Sequence, residues 1–157
     1  MLRVAVPNKE SLAEPIATLL SAAGYRVRSH AKELVVVDDD HQIELFYLRP
    51  RDIATYVGSR QLDIGVTGRD LLIDSGAAAQ EIMALGISRT VHRYASTPGA
   101  AETINDLNDM IIASSYPTLV AKHLADEGVV PRSIVELEGA VETALQLGLA
   151  DALPTSW

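Results

Sequence analysis

Short apolar runs alternate with amphipathic stretches along this chain. Residues 4–6 are apolar and stop at Pro7, which predicts a buried strand. Asn8-Lys9-Glu10 follows as a loop. Ser11-Leu12-Ala13-Glu14 has the form of a capping box, in which the Ser hydroxyl accepts from an orphan backbone N–H and Glu14 reaches back. Leu12, Ile16, Leu19 and Leu20 then recur at helical spacing until Gly24, with Pro15 tolerated near the first turn. Residues 34–37 and 43–48 predict two strands, joined as a hairpin by Asp38-Asp39-Asp40-His41. A helix opens at Arg49-Pro50-Arg51-Asp52, with Pro in its first turn, and closes at Gly58.

Residues 62–66 predict another short strand, and Thr67-Gly68-Arg69-Asp70 turns into a helix starting near Leu71. A strand near 82–85 and an extended stretch over 90–95 lead to a break at Thr97-Pro98-Gly99. We place a lobe boundary there, giving a first lobe over 1–96 and a partial second lobe over 97–157. The second part renews the alternation: helix 103–107, strand 110–113, helix 117–126, strand 133–137, helix 140–147 closed by Gly148, and the start of a strand at Asp151-Ala152-Leu153. This order predicts an α/β class with mainly parallel sheets and helices on their faces. Ligands of such sheets bind at the carboxyl ends of the strands.

Composition narrows the function classes. The 157 residues suffice for one ordinary domain or two small lobes. At 48% hydrophobic the chain is expected to fold, and with only 4% aromatics its core must be aliphatic. A net charge of -8 removes the basic footprint of a nucleic-acid or anionic-membrane binder, while local cations can still line a cleft. The absence of cysteine excludes disulfides and Cys-ligated metals and fits a reducing cytoplasm. No signal peptide and no membrane-length apolar run is present, so a soluble cytoplasmic protein is expected. His30, His41, His92 and His123 lack metal-ligand spacing. There is no Walker loop, dinucleotide fingerprint or nucleophile elbow, so hydrolase, kinase and dehydrogenase readings fall away.

The polar clusters at predicted strand ends are the candidate chemistry. Lys9 stands just ahead of a helix start, where free N–H groups and a full positive charge suit phosphate; a solvated loop lysine would look the same. Arg49 and Arg51 flank Pro50, and two guanidinium forks so close can clamp a polyphosphate or pair with Asp52. Asp70 can cap its helix, accept from a ribose or a purine amine, or help hold a hydrated metal. Tyr116 can pack inside or point into a cleft. Gly139 permits close approach of a ligand, and Glu142 lies in the first turn of a helix.

Taken in order, these segments resemble the ATP phosphoribosyltransferase family. The matching runs are Leu2-Arg3-Val4-Ala5-Val6-Pro7-Asn8-Lys9, Phe46-Tyr47-Leu48-Arg49-Pro50-Arg51-Asp52-Ile53 and Leu62-Asp63-Ile64-Gly65-Val66-Thr67-Gly68-Arg69-Asp70-Leu71. Further on come Ile112-Ala113-Ser114-Ser115-Tyr116-Pro117, Gly139-Ala140-Val141-Glu142 and Leu147-Gly148-Leu149-Ala150-Asp151-Ala152. The resemblance implies a two-lobed architecture like the periplasmic binding proteins, with the second lobe incomplete. It implies transfer of phosphoribosyl from phosphoribosyl pyrophosphate to N1 of ATP, release of pyrophosphate, Mg²⁺ as cofactor and a homo-oligomer. It also implies roles: Lys9, Arg49 and Arg51 on phosphates, with Asp70 beside them in the catalytic set; Lys9, Leu12, Arg49, Asp70, Leu71, Tyr116, Gly139 and Glu142 about the substrates, with Glu142 supporting the cleft.

Three departures temper that expectation. Glu10 stands where the family usually has Gly, beside the presumed phosphate lysine. Pro154-Thr155-Ser156-Trp157 stands where the family continues through another acid into a Thr-Gly-rich phosphate loop. The family chain also returns to its first lobe, and here that return is absent. The resemblance therefore implies impaired turnover, and leaves two rival expectations: a nucleotide-binding module without turnover, or a structural or regulatory partner of an intact homologue.

Overall fold

The structure is a computed structural model, described here over residues 1–9 and 11–156. It divides into two compact units, 1–89 and 90–157. In the first, β1 (Leu2–Pro7) leads through α1 (Ala13–Ala22) into the hairpin of β2 (Val35–Asp38) and β3 (Ile43–Leu48). Helix α2 (Pro50–Gly58), β4 (Ile64–Gly65) and α3 (Arg69–Ser75) follow. The sheet order is β2-β3-β1-β4. β1 pairs parallel with both β3 and β4, and β2 closes one edge antiparallel to β3.

The second unit repeats this plan. β5 (His92–Ser96) precedes a 3-10 turn (Ile104–Leu107), β6 (Ile111–Ser114), α4 (Pro117–Asp126), β7 (Ser133–Glu136), α5 (Glu142–Gln146) and β8 (Ala152–Ser156). Its order is β5-β8-β6-β7, parallel except for β5 against β8. The α/β class with mainly parallel sheets holds in both units. Among the described residues no helix is long and apolar enough to cross a membrane.

Both sheets are covered on two faces, and the period-2 alternation of the central strands shows it. Along β1, Val6 packs with Ile16 of α1, Val36, Leu45 and Tyr47, while Ala5 turns to Ile53 of α2 and Leu62. Along β6, Ile112 packs with Val120 and Leu124 of α4, while Ala113 turns to Val141 and Ala144 of α5. β8 splits the same way at Ala152 and Leu153.

Several elements differ from the sequence reading. α1 is capped at Leu12 without a side-chain bond, so the Ser11 capping box does not form. From that start the third helical position is Pro15, which has no N–H to offer a cap. The expected strand over 82–85 is absent: residues 77–91 carry no strand, and Ile82 and Met83 are 78% and 71% exposed. The strand over 62–66 shrinks to Ile64–Gly65. The expected helix over 103–107 is a 3-10 turn, held by a capping box between Thr103 and Asp106. The units divide ahead of the Thr97-Pro98-Gly99 break, because β5 pairs with β8 and so belongs to the second sheet.

Gly65 fixes how closely α2 can lie on β4. A Cβ there would collide with the Ile53 side chain and stand 3.0 Å from Val57 Cγ2. Gly65→Ala is expected to destabilise the chain by about 1–3 kcal/mol through overpacking, measured as a lower urea midpoint at unchanged slope.

Asp38, only 5% exposed, ties the hairpin to the loop after α1. Its carboxylate accepts from the Arg26 N–H (2.8 Å) and the His41 N–H (3.1 Å), with His41 Nδ1 2.9 Å away. The Arg26 N–H, with help from His41, holds its pKa below the ordinary 3.8 against the opposing effect of burial. A depressed carboxylate contributes stability that is present above 3.8 and lost as pH falls through the lowered value. Acid titration of stability is therefore expected to show a fall below pH 3.8 that Asp38→Asn flattens.

Candidate functional site

In the first unit β1, β3 and β4 run parallel, so their carboxyl ends share one edge. Three loops leave from it. The Asn8 N–H donates to Leu48 O at 2.8 Å, which extends the β1–β3 ladder into the turn carrying Lys9. Arg49 caps α2 in an extended conformation with Pro50 at the first helical position. The Thr67 hydroxyl donates to Pro50 O at 2.7 Å, which ties the loop after β4 to the start of α2.

Lys9, Arg49, Arg51 and Asp70 therefore belong to one edge, and their side chains divide into two groups. Lys9 and Arg49 are exposed, and among the described residues no ion pair engages either. Arg51 is half-buried, and its Nη1 donates to Asp74 Oδ2 at 3.2 Å, joining α2 to α3. Asp70 lies in the first turn of α3, and its Oδ1 accepts the Leu71 N–H at 2.8 Å. A Cβ at Gly68 would crowd that same carboxylate, the end of a side chain that can turn aside. Leu71 is 8% exposed and packs as core; Leu12 is half-buried at the start of α1. Glu10 lies outside the described residues.

In the second unit the candidates collect at the corresponding edge. The Leu137 N–H donates to Ser114 O at 3.0 Å, so the loops after β6 and β7 start side by side. Tyr116 caps α4, its N–H donating to the buried Ser114 Oγ at 2.8 Å. Its ring stands edge-on to His92, centroids 5.4 Å apart. Two residues along β5, the Tyr94 ring stacks on His123 of α4, with its hydroxyl 3.1 Å from Nδ1. Burial raises the Tyr94 pKa to about 12, so the phenol stays neutral. Gly139 and Ala140 both have positive φ, 68° and 44°, a turn into α5 that costs a non-glycine residue strain. Glu142 opens α5 and is exposed. Among the described residues no group of three or more His, Asp or Glu side chains could hold a metal by itself.

The sequence reading passed over Arg28. Its Nη2 donates to Asn8 O at 2.7 Å, its guanidinium lies 4.5 Å from the Tyr47 ring centroid, and its own N–H donates to the Tyr47 hydroxyl at 3.0 Å. It braces the turn that carries Lys9 from a loop twenty residues away in sequence. Its only signal in the sequence was an arginine flanking a valine, with nothing to connect it to Asn8. Arg28→Ala is expected to cost this turn about 1.5–3 kcal/mol of local stability, read as faster amide hydrogen exchange at Asn8 and Lys9. Tyr47→Phe, which keeps the ring, should have the smaller effect.

Comparison with known proteins was consistent across sequence and structure. The family model for HisG, ATP phosphoribosyltransferase, matches residues 49–154. Proteins named ATP phosphoribosyltransferase from Streptomyces avermitilis and Streptomyces coelicolor are 57% and 56% identical over 153 residues, covering 98% of this chain and 53% of theirs. One from Mycobacterium tuberculosis is 52% identical, covering 98% of this chain and 54% of its own length. The chain thus spans about half the length of these curated relatives. Among solved structures, the ATP phosphoribosyl transferase (HisG:HisZ) complex from Thermotoga maritima has a chain that matches with a TM-score of 0.80 and 25% identity, over 100% of this chain and 74% of that one.

Proposed function

On the premise that this chain belongs to the ATP phosphoribosyltransferase family, we propose that it is the part of the catalytic region that holds nucleotide and phosphate. The reaction is displacement at C1 of phosphoribosyl pyrophosphate: N1 of ATP forms the new bond, and the C1–oxygen bond breaks with its electron pair leaving on pyrophosphate. Such a step needs cations where the leaving charge develops and a fixed approach for the nucleophile. The observation that carries the reading is the pair of exposed cations, Lys9 and Arg49, on loops joined by the Asn8–Leu48 bond.

Lys9 and Arg49 neutralise phosphate oxygens, and Pro50 fixes the direction from which Arg49 reaches. Arg51 orients that helix start through Asp74 and adds charge behind it. Asp70 accepts from a ribose hydroxyl or the adenine amine. Leu12 and Leu71 supply apolar contact. In the second unit Tyr116 offers a ring, Gly139 an open backbone and Glu142 a carboxylate for substrate contacts. Mg²⁺ would come to this site on the substrate phosphates, with Asp70 the carboxylate that could contact its waters, and would supply positive charge against the departing pyrophosphate. The reading includes a cytoplasmic setting and a homo-oligomeric assembly.

A second reading is favoured by one fact, that the chain spans about half of its relatives' length: a nucleotide-binding module, or a partner of a longer homologue, without turnover of its own. Calorimetric titration with ATP and AMP, run beside a pyrophosphate-release assay with both substrates and Mg²⁺, separates the readings. Nucleotide binding is expected, with Arg49→Ala and Lys9→Ala each weakening it roughly ten- to a hundredfold, the equivalent of a lost charge-assisted bond. Binding with no pyrophosphate release selects the module. No binding at millimolar nucleotide selects the partner, and unchanged binding in Arg49→Ala removes that residue from the site.

A further inference from the structure

We propose that Asn8 is a specificity-determining residue of the first carboxyl edge: its side-chain amide oxygen accepts a hydrogen bond from a ribose hydroxyl of the ligand whose phosphate lies on Lys9 and Arg49. The inference rests on the phosphate reading above and adds the sugar to it. Among the described residues, Asn8 Oδ1 is the buried side-chain polar atom that has no hydrogen-bond partner. Buried acceptors are paired almost without exception, and one left unpaired raises the energy of the state that holds it. The buried polar side chains elsewhere have their partners: Asp38 accepts from the Arg26 and His41 N–H groups, and Ser114 Oγ accepts from the Tyr116 N–H. The exception falls on the turn that carries Lys9.

The backbone of that turn is tied on both sides. The Asn8 N–H donates to Leu48 O at 2.8 Å, and the Asn8 carbonyl accepts from Arg28 Nη2 at 2.7 Å. The Arg28 guanidinium also lies over the Tyr47 ring, so it is engaged already. The main chain of Asn8 is therefore fixed, while no hydrogen bond holds its amide oxygen. Asn8 as a whole is only half-buried, and turning the amide outward gives up no bond at that oxygen. A ligand that brings a donor relieves a cost that the free chain carries. Proximity selects the donor. The Asn8 and Lys9 Cα atoms are about 3.8 Å apart, so a group that meets Asn8 while phosphate lies on Lys9 is itself close to that phosphate. The hydroxyls of a phosphorylated ribose satisfy this, and the adenine amine, at the far end of a nucleotide, does not. An amide oxygen also accepts from a hydroxyl without placing a negative charge beside the phosphate, as a carboxylate would.

Calorimetric titration of the full chain with phosphoribosyl pyrophosphate, ATP and inorganic pyrophosphate tests this. Asn8→Ala is expected to weaken one of the two ribose-bearing ligands by about tenfold, the equivalent of one lost hydrogen bond, and to leave pyrophosphate, which has no sugar, unaffected. The ligand that loses affinity shows which substrate brings the hydroxyl. Asn8→Leu, close in shape to Asn, should do the same and covers the case in which the alanine variant misfolds. Because both variants remove an unpaired buried acceptor, neither should lower the urea midpoint. Unchanged affinities for both ribose-bearing ligands overturn the proposal, and so does equal weakening of all three, which marks a general disturbance of the turn. Unfolding of the chain by both variants also overturns it, because the side chain then serves the fold. If none of the three ligands binds the unaltered chain, the phosphate reading fails and takes this inference with it. If pyrophosphate binds and the variants do not discriminate, this inference alone fails.

Discussion

The parallel pairing of β1 with β3 is the constraint on which the rest of the first unit depends. Its six residue pairs, from Leu2 with Ile43 to Pro7 with Leu48, run in one direction. Parallel neighbours need crossovers, and each crossover leaves from the carboxyl edge. The chain moves outward from β1 to β3 through α1, then back across β1 to β4 through α2. Right-handed crossovers in opposite directions put their helices on opposite faces. That is why Val6 meets α1 while Ala5 meets α2. The reversal also makes β1 a switch point, where loops diverge and leave a crevice. Lys9 and Arg49 are on the two loops that diverge there. The second unit repeats the reversal about β6, with Tyr116 on one diverging loop and Gly139 on the other.

Much of this was legible because it follows from local pattern. The hairpin, α2 with its proline, and α4 over Pro117–Asp126 stand where periodicity and breakers put them. The failures share a physical cause, since each needed knowledge of a distant partner. The apolar run at 82–85 had strand composition, but a strand exists only beside an edge that receives it, and Ile82 stays 78% exposed. β5 was assigned to the lobe before the break because sequence order suggested it, whereas its partner β8 lies at the far end of the chain. Arg28 was invisible for the same reason.

Arginine position alone does not separate a binding cation from a structural one. Arg28, Arg51 and Arg69 all lie near the functional edge in sequence or space, and each has a designated partner: Tyr47 and Asn8 for Arg28, Asp74 for Arg51, Glu81 for Arg69. Asp74 has a side chain only 8% exposed, so a cation beside it offsets a costly buried charge. Arg51 therefore holds α2 against α3 before it can do anything for a ligand. Arg49, two residues earlier, precedes the helix, and its extended backbone sends the side chain into solvent. Pro50 creates this difference by starting the helix between them.

The same division bears on how a chain of net charge -8 could receive the anionic substrates proposed for it. At physiological ionic strength exposed charges are screened beyond about 8 Å, so a phosphate responds to the charges beside it rather than to the total. Around the first carboxyl edge three acids are engaged, while Asp52 in the first turn of α2 stays exposed. Asp74 is paired with Arg51, Glu81 accepts two bonds from Arg69, and Asp70 accepts the Leu71 N–H. Pairing with Arg69 also keeps the Glu81 pKa low, so this acid stays ionised and holds its partner. With Asp74 and Glu81 matched by arginines, Lys9 and Arg49 remain as exposed cations of this edge. Other acids are exposed in the Asp39-Asp40 turn of the first unit and at Glu102, Glu127 and Glu138 of the second. Asp39 and Asp40 sit where β2 turns into β3, and parallel strands start at the edge opposite the one where they end. The length of β3 therefore keeps that acidic turn away from the loops that carry Lys9 and Arg49, and a longer reach of the parallel pairing separates the two more completely.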